Sequence, residues 1–122
     1  KLSPQKSVVD GKSIVLVDDS IVRGTTSAKL IQRMRKAGAK EVHFRVTSPP
    51  FMYPCYYGVD TPDRKNLIAA NLSKEEIRKQ IGADSLEFID LDSMLNLLEN
   101  KDNYCKACFT GDYPVKKDEI WI

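Results

Sequence analysis

An apolar run, Ile14-Val15-Leu16-Val17, leads directly into two adjacent carboxylates, Asp18 and Asp19. The loop that follows carries Ser20, Gly24, Thr25, Thr26 and Ser27 before the helical pattern 28–37. This order constrains the fold more than any other stretch. The run reads as a buried parallel strand, and in open α/β sheets ligands bind just past the carboxyl ends of strands, where Asp18 and Asp19 fall. The loop then opens a helix, whose free N–H groups and positive dipole end favour a phosphate.

Each residue type suits a sugar phosphate. Carboxylates accept hydrogen bonds from two cis ribose hydroxyls and attract Mg2+ carried by a diphosphate, while glycine lets the main chain approach phosphate oxygens. Thr25 and Thr26 add hydroxyl donors. A plainer reading stays open: the two aspartates end a strand, and one of the downstream hydroxyls caps the helix.

The periodicity predicts a strand over 13–18, a helix over 25–37 ended by Gly38, and a second strand over 41–47 stopped by Pro49-Pro50, which makes one βαβ unit. Residues 51–63 read as irregular. A short apolar run, 67–70, is expected to be another strand. Ser73-Lys74-Glu75-Glu76 reads as a capping box opening a helix to about Ile81. Residues 86–89 look like a strand end and 92–98 like an amphipathic helix capped by Asp90 or Asp92. The tail 100–122 has no clear period. The expectation is an α/β fold, a mainly parallel sheet flanked by helices with an irregular C-terminal tail, in a single domain over 1–122. A phosphate-binding strand normally lies near the middle of such a sheet. A chain beginning here therefore leaves one edge short of neighbours, and a homo-oligomer or swapped assembly is one way to pair it.

Charged residues make up 30% of the 122 with a formal net charge of +2, so no global basic field argues for nucleic acid. The cluster Arg33, Arg35, Lys36 and Lys40 reads as the solvated face of a helix. No apolar stretch approaches the ~20 residues needed to span a bilayer, and no signal-peptide core is evident, so a soluble cytoplasmic protein is expected. In that compartment the three cysteines, Cys55, Cys105 and Cys108, read as free thiols or as metal ligands rather than a structural disulfide. Three thiols are one short of the usual four. His43 can in principle complete a zinc set, yet it falls inside a strand pattern and is expected to be packed or hydrogen-bonded there.

The stretch Val17-Asp18-Asp19-Ser20-Ile21-Val22-Arg23-Gly24-Thr25-Thr26 resembles the phosphoribosyl diphosphate (PRPP) loop of type I phosphoribosyltransferases. Within them it resembles the glutamine phosphoribosyl diphosphate amidotransferases, in their iron-sulfur-containing branch. The resemblance extends to Lys1-Leu2-Ser3-Pro4, to Ser48-Pro49-Pro50, to 54–60 and to 105–114, and so covers nearly the whole chain. It implies a C-terminal part of the transferase domain, with the glutaminase domain and its cysteine nucleophile lying in a missing N-terminal region.

The implied reaction is the first step of de novo purine biosynthesis, in which ammonia from glutamine replaces the pyrophosphate of PRPP. The implied PRPP-binding residues are Asp18, Asp19, Ser20, Ile21, Val22, Arg23, Gly24, Thr25 and Thr26, with Asp18 and Asp19 also holding Mg2+. Arg23 read alone fits a surface position equally well. Cys55, Cys105 and Cys108 are implied ligands of a [4Fe-4S] cluster whose fourth cysteine has no counterpart here. The isolated chain is then expected to be catalytically inactive and to hold no stable cluster, with the tail from Asn100 poorly tied down. Purine nucleotides, AMP and GMP, are implied inhibitors. Two other functions fit the residues: a noncatalytic phosphoribosyl or nucleotide-binding regulator, and a metal-dependent redox or scaffold module built on the cysteines.

Overall fold

The computed structural model describes residues 3–115. The match at Lys1-Leu2 and the tail expectation beyond Val115 lie outside the described residues. The elements run α1 (Lys6–Val9), β1 (Ser13–Asp18), α2 (Thr25–Lys36), β2 (Glu41–Val46), α3 (Ile68–Asn71), α4 (Lys74–Ile81), β3 (Ser85–Phe88), α5 (Leu91–Leu95) and α6 (Ala107–Thr110). Two 3-10 turns lie at Arg64–Asn66 and Lys101–Asn103. The three strands form a parallel sheet in the order β1-β2-β3. Ile14 pairs with Val42 and Asp18 with Val46, and on the other side Phe44 pairs with Leu86.

Alternation decides which face is buried. Val42, Phe44 and Val46 are 0%, 0% and 3% exposed, and with Leu86 they pack against Ile31 of α2 and Ile77 and Ile81 of α4. Burying a side chain such as Phe44 contributes roughly 2–3 kcal/mol. The opposite face is uncovered: Val15 is 61% and Val17 67% exposed. β1 is therefore half-buried rather than fully buried as its apolar run predicts, because it is an edge strand with helices on one side only.

On the same uncovered face the polar residues satisfy one another. His43 Nδ1 meets Ser85 Oγ at 2.7 Å, Arg45 Nη1 donates to that oxygen at 2.9 Å, and Ser13 Oγ donates to Glu41 Oε2 at 2.7 Å. The Ser13 bond, followed by that from His43, holds the Glu41 carboxyl below its usual range. His43 is thus hydrogen-bonded on the sheet, to Ser85 of β3 and to Glu41 of its own strand.

Local chemistry sets the helix ends. Ser73 and Glu76 form the expected capping box, and α4 stops at Gly82. Asp90, not Asp92, caps α5, accepting the Ser93 N–H at 3.0 Å. That helix is shorter than predicted, since Leu97 and Leu98 remain exposed and gain nothing from continuing it. The expected strand at 67–70 is instead the end of a 3-10 turn and the helical turn α3. Asn71 Nδ2 donates to the carbonyls of Arg64, Lys65 and Leu67, and Leu67 is fully buried, so the backbone is satisfied without a sheet partner. No helix among the described residues is long and apolar enough to cross a membrane.

Candidate functional site

β1 delivers Asp18 at its carboxyl end, where the Thr47 N–H from beyond β2 donates to the Asp18 carbonyl at 2.9 Å and fixes the strand terminus. The Asp19 N–H donates to Asp18 Oδ1 at 3.0 Å, and Ser20 Oγ donates to Asp19 Oδ1 at 3.0 Å. One oxygen of each carboxylate is so occupied. The second oxygens are left for a hydroxyl or a hard cation.

The loop then turns into α2 through Gly24. Its φ of +79° is left-handed and favours glycine, and a Cβ there would stand 2.8 Å from Ile68 Cδ1, which would have to shift. No side chain caps α2, so none of the loop hydroxyls has the capping role that the plainer reading gave them. The Ala28 N–H is the first to find an intrahelical acceptor, Gly24 O at 2.9 Å. The N–H groups of Thr25, Thr26 and Ser27 remain as donors for a ligand.

A cavity of about 540 Å³ lies over this loop. Asp18, Asp19, Ser20, Val22, Arg23, Gly24, Thr25 and Thr26 all line it, as does Ser27. Ile21 does not. It is 2% exposed and belongs to the core beneath the loop, because the Ile68 N–H donates to Val22 O at 2.9 Å and draws this turn onto α3. Its side chain therefore packs beneath the loop rather than lining the cavity.

The structure adds Asp60 and Pro62, which line the cavity from the irregular segment between β2 and α3. No local pattern marks them. Asp60 stands 41 residues from Asp19 in a stretch without periodicity, and only the folding of that segment over the loop brings it near. The volume is within the range of small-molecule sites, roughly 300–1,000 Å³.

The cysteines form a second constellation. All three are free thiols; Cys55 and Cys108 are half-buried and Cys105 is exposed. Burial pushes the Cys108 thiol up, and the neighbouring thiolates of Cys105 and Cys55 push it further, so the three are electrostatic neighbours. The Tyr57 N–H points at Cys55 Sγ at 3.3 Å, and the Tyr56 and Tyr57 rings pack against Tyr113. Among the described residues no group of three or more His, Cys, Asp or Glu side chains could hold a single metal ion.

The tail carrying Cys105 and Cys108 is better tied down than expected. The Met52 and Tyr53 N–H groups both donate to Cys108 O, at 2.9 and 3.1 Å, and Tyr113 Oη donates to Pro54 O at 2.6 Å. Phe51 packs on Phe109, and Ala107 is buried.

No family model matches the chain. It is 55% identical, over 123 aligned residues covering 100% of it and 22% of the relative, to amidophosphoribosyltransferase 1, chloroplastic, of Arabidopsis thaliana. Among solved structures it superposes on the glutamine phosphoribosylpyrophosphate amidotransferase from B. subtilis complexed with ADP and GMP. That match has a TM-score of 0.85 and 47% identity, covering 93% of this chain and 26% of that one. A second solved structure, described as the allosteric regulatory enzyme of purine biosynthesis, matches with a TM-score of 0.86 and 46% identity over 98% of this chain and 26% of that one. The chain thus spans about a quarter or less of the length of these relatives. By sequence over its whole length and by fold, it is homologous to one segment of the amidophosphoribosyltransferases, which are much longer proteins.

Proposed function

We propose that this chain carries the PRPP site of an amidophosphoribosyltransferase, acting in purine biosynthesis within a longer protein that also holds a glutaminase domain. The observation that carries the reading is the uncapped N-terminus of α2 facing the same 540 Å³ cavity as the Asp18-Asp19 pair. Phosphate and ribose hydroxyls need donors and acceptors in that juxtaposition.

In this reading the amides of Thr25, Thr26 and Ser27, the loop hydroxyls and Arg23 bind the 5'-phosphate, and the free oxygens of Asp18 and Asp19 take the ribose 2- and 3-hydroxyls. The donor set also fits Mg2+, since both aspartates offer hard oxygens at the cavity wall. Bound with the diphosphate, the ion supplies charge neutralisation to the leaving pyrophosphate. The overall reaction converts PRPP, glutamine and water to 5-phosphoribosylamine, glutamate and pyrophosphate. The residues here contribute positioning and electrostatics only, so the chain by itself is inactive. A cytoplasmic setting and pairing of the open β1 edge, by the rest of the longer protein or by a second copy, belong to the same reading.

Cys55, Cys105 and Cys108 fit three positions of a [4Fe-4S] ligand set. The donor type suits such a cluster, with an N–H aimed at the Cys55 sulfur and aromatic rings nearby, but the three side chains are not gathered into a ligand group in this structure, and a fourth thiolate is not among these 122 residues. Iron and sulfide analysis of anaerobically prepared chain tests this: about four irons per chain would show that three thiols suffice.

The central test is an amide NMR titration with PRPP and Mg2+. Shifts at Gly24, Thr25 and Thr26 that vanish in Asp19→Asn support the site; a well-folded chain whose loop amides stay put removes it. A second reading, a noncatalytic nucleotide-binding module, is favoured by the ADP and GMP held by the B. subtilis relative. It predicts loop shifts with GMP and none with PRPP.

A further inference from the structure

Between β2 and α3 the chain runs without regular structure from Thr47 to Asp63, and this one segment carries both a cysteine and two walls of the cavity. Its first part is held by the tail. Cys108 O receives the Met52 and Tyr53 N–H groups, and Pro54 O receives Tyr113 Oη. Its last part is held by the core: Pro62 leads into the turn closed by Asn66 N–H on Asp63 O at 2.8 Å, and Leu67 is 0% exposed. Between these anchors Tyr57, Gly58, Val59 and Asp60 are exposed.

The two ends of that exposed stretch meet at one hydrogen bond. The Cys55 N–H donates to Thr61 Oγ1 at 2.6 Å, in a partly buried position. The residue that accepts from Cys55 thus lies between Asp60 and Pro62, the two that face the cavity. Thr61 is bonded to the Cys55 backbone on one side and flanked on both sides by residues that line the cavity with loop 18–26. A hydroxyl on a short β-branched side chain suits this work, since its χ1 is stiff and sets the acceptor's position closely.

We propose that Thr61 is a positioning residue that couples the cysteine site to the sugar-phosphate cavity. Its hydroxyl holds Asp60 and Pro62 in register with the Asp18-Asp19 loop and links that register to the backbone of Cys55. The consequence for PRPP binding rests on the function proposed above; the mechanical link from Cys55 to Asp60 does not.

The test uses the full 122-residue chain and two variants. Thr61→Val keeps the shape and removes the acceptor, whereas Thr61→Ser keeps the acceptor. In Thr61→Val the Cys55 amide exchanges faster, the Asp60 amide shifts, and iodoacetamide labels Cys55 faster while the Cys105 rate is unchanged. PRPP with Mg2+ binds about fivefold more weakly, the scale of one hydrogen bond. Thr61→Ser restores all four. A generally loosened fold would instead raise labelling at every cysteine and would not be rescued selectively.

Faster exchange at Cys55 with the Asp60 amide unmoved overturns the proposal, as does Thr61→Ser failing to restore what Thr61→Val loses. Asp19→Asn separates the two readings. If neither wild type nor Asp19→Asn shows PRPP-dependent shifts, the cavity assignment falls, while linked changes at Cys55 and Asp60 still support the role of Thr61.

Discussion

The β1–α2–β2 unit and the segment 50–63 with its docked tail both contribute to the same cavity, but different physics holds them. In the first, repeating burial of Val42, Phe44 and Val46 against Ile31, Ile77 and Ile81 spreads stability over many apolar contacts. In the second, a few directed bonds carry the geometry: two amides on Cys108 O, Tyr113 on Pro54 O and Cys55 on Thr61. A core of the first kind gives way as a whole, whereas a strap of the second kind can open locally. The lesson is that the phosphate-facing wall and the Asp60 wall of one cavity should differ in stability.

The largest expected effect breaks the core side. Phe44→Ala, at a fully buried site, should cost about 3–5 kcal/mol and lower the urea midpoint of the whole chain cooperatively. A loss confined to the tail would show that the sheet does not govern global stability.

Gly111→Ala attacks the strap. Gly111 has φ +78°, and a Cβ would stand 2.8 Å from the Tyr53 ring, so the substitution should cost about 1–2 kcal/mol. Hydrogen exchange should quicken at Met52 and Tyr53 but not at Phe44; equal quickening at both would erase the distinction between the two regions.

Asp84→Ala probes the junction of α2 with β3, where Asp84 Oδ2 accepts the Val42 N–H at 2.7 Å and Arg35 Nη2 at 2.9 Å. The loss should be about 1–2 kcal/mol at neutral pH, since the guanidinium side is solvent-screened. The Val42 N–H, and then Arg35, hold this carboxyl below its usual range. Its contribution is therefore full above the unfolded value near 3.9 and is lost as pH falls through the lower folded value. Urea unfolding at pH 7 and pH 3 should show a smaller difference between wild type and variant at the acid end; an unchanged difference would detach Asp84 from the acid response.

The smallest effect on stability should come from Asp19→Asn, within about 0.5 kcal/mol, because its carboxylate is exposed and, among the described residues, accepts a hydrogen bond from its neighbour Ser20 alone. PRPP binding should nonetheless collapse. Parallel losses of melting temperature and binding would return Asp19 to a structural role.

Local signals were legible wherever the backbone answers to neighbours in sequence. The capping box at Ser73 and Glu76, the glycine stop at Gly82 and the acidic strand end at Asp18 follow from the residues within a turn of each position. The run 67–70 misled for the same reason: its apolar residues suit a strand or a buried turn equally, and the Asn71 side chain, by satisfying three carbonyls, decides for the turn. The motif counts Ile21 together with its neighbours, whereas the fold turns its side chain into the core beneath the loop.

The sequence by itself determined the βαβ unit, the chemistry of the Asp18-to-Thr26 loop and the presence of three cysteines, since periodicity, glycine freedom and donor type are local properties. Only the tertiary structure decided that helices cover one face of the sheet and leave Val15 and Val17 exposed on the other, that Asp60 and Pro62 line the cavity, and that Thr61 Oγ1 accepts from the Cys55 N–H. Those arrangements depend on contacts between residues distant in the chain, whose formation is set by the packing of the whole core and leaves no periodic trace in the segment that makes them.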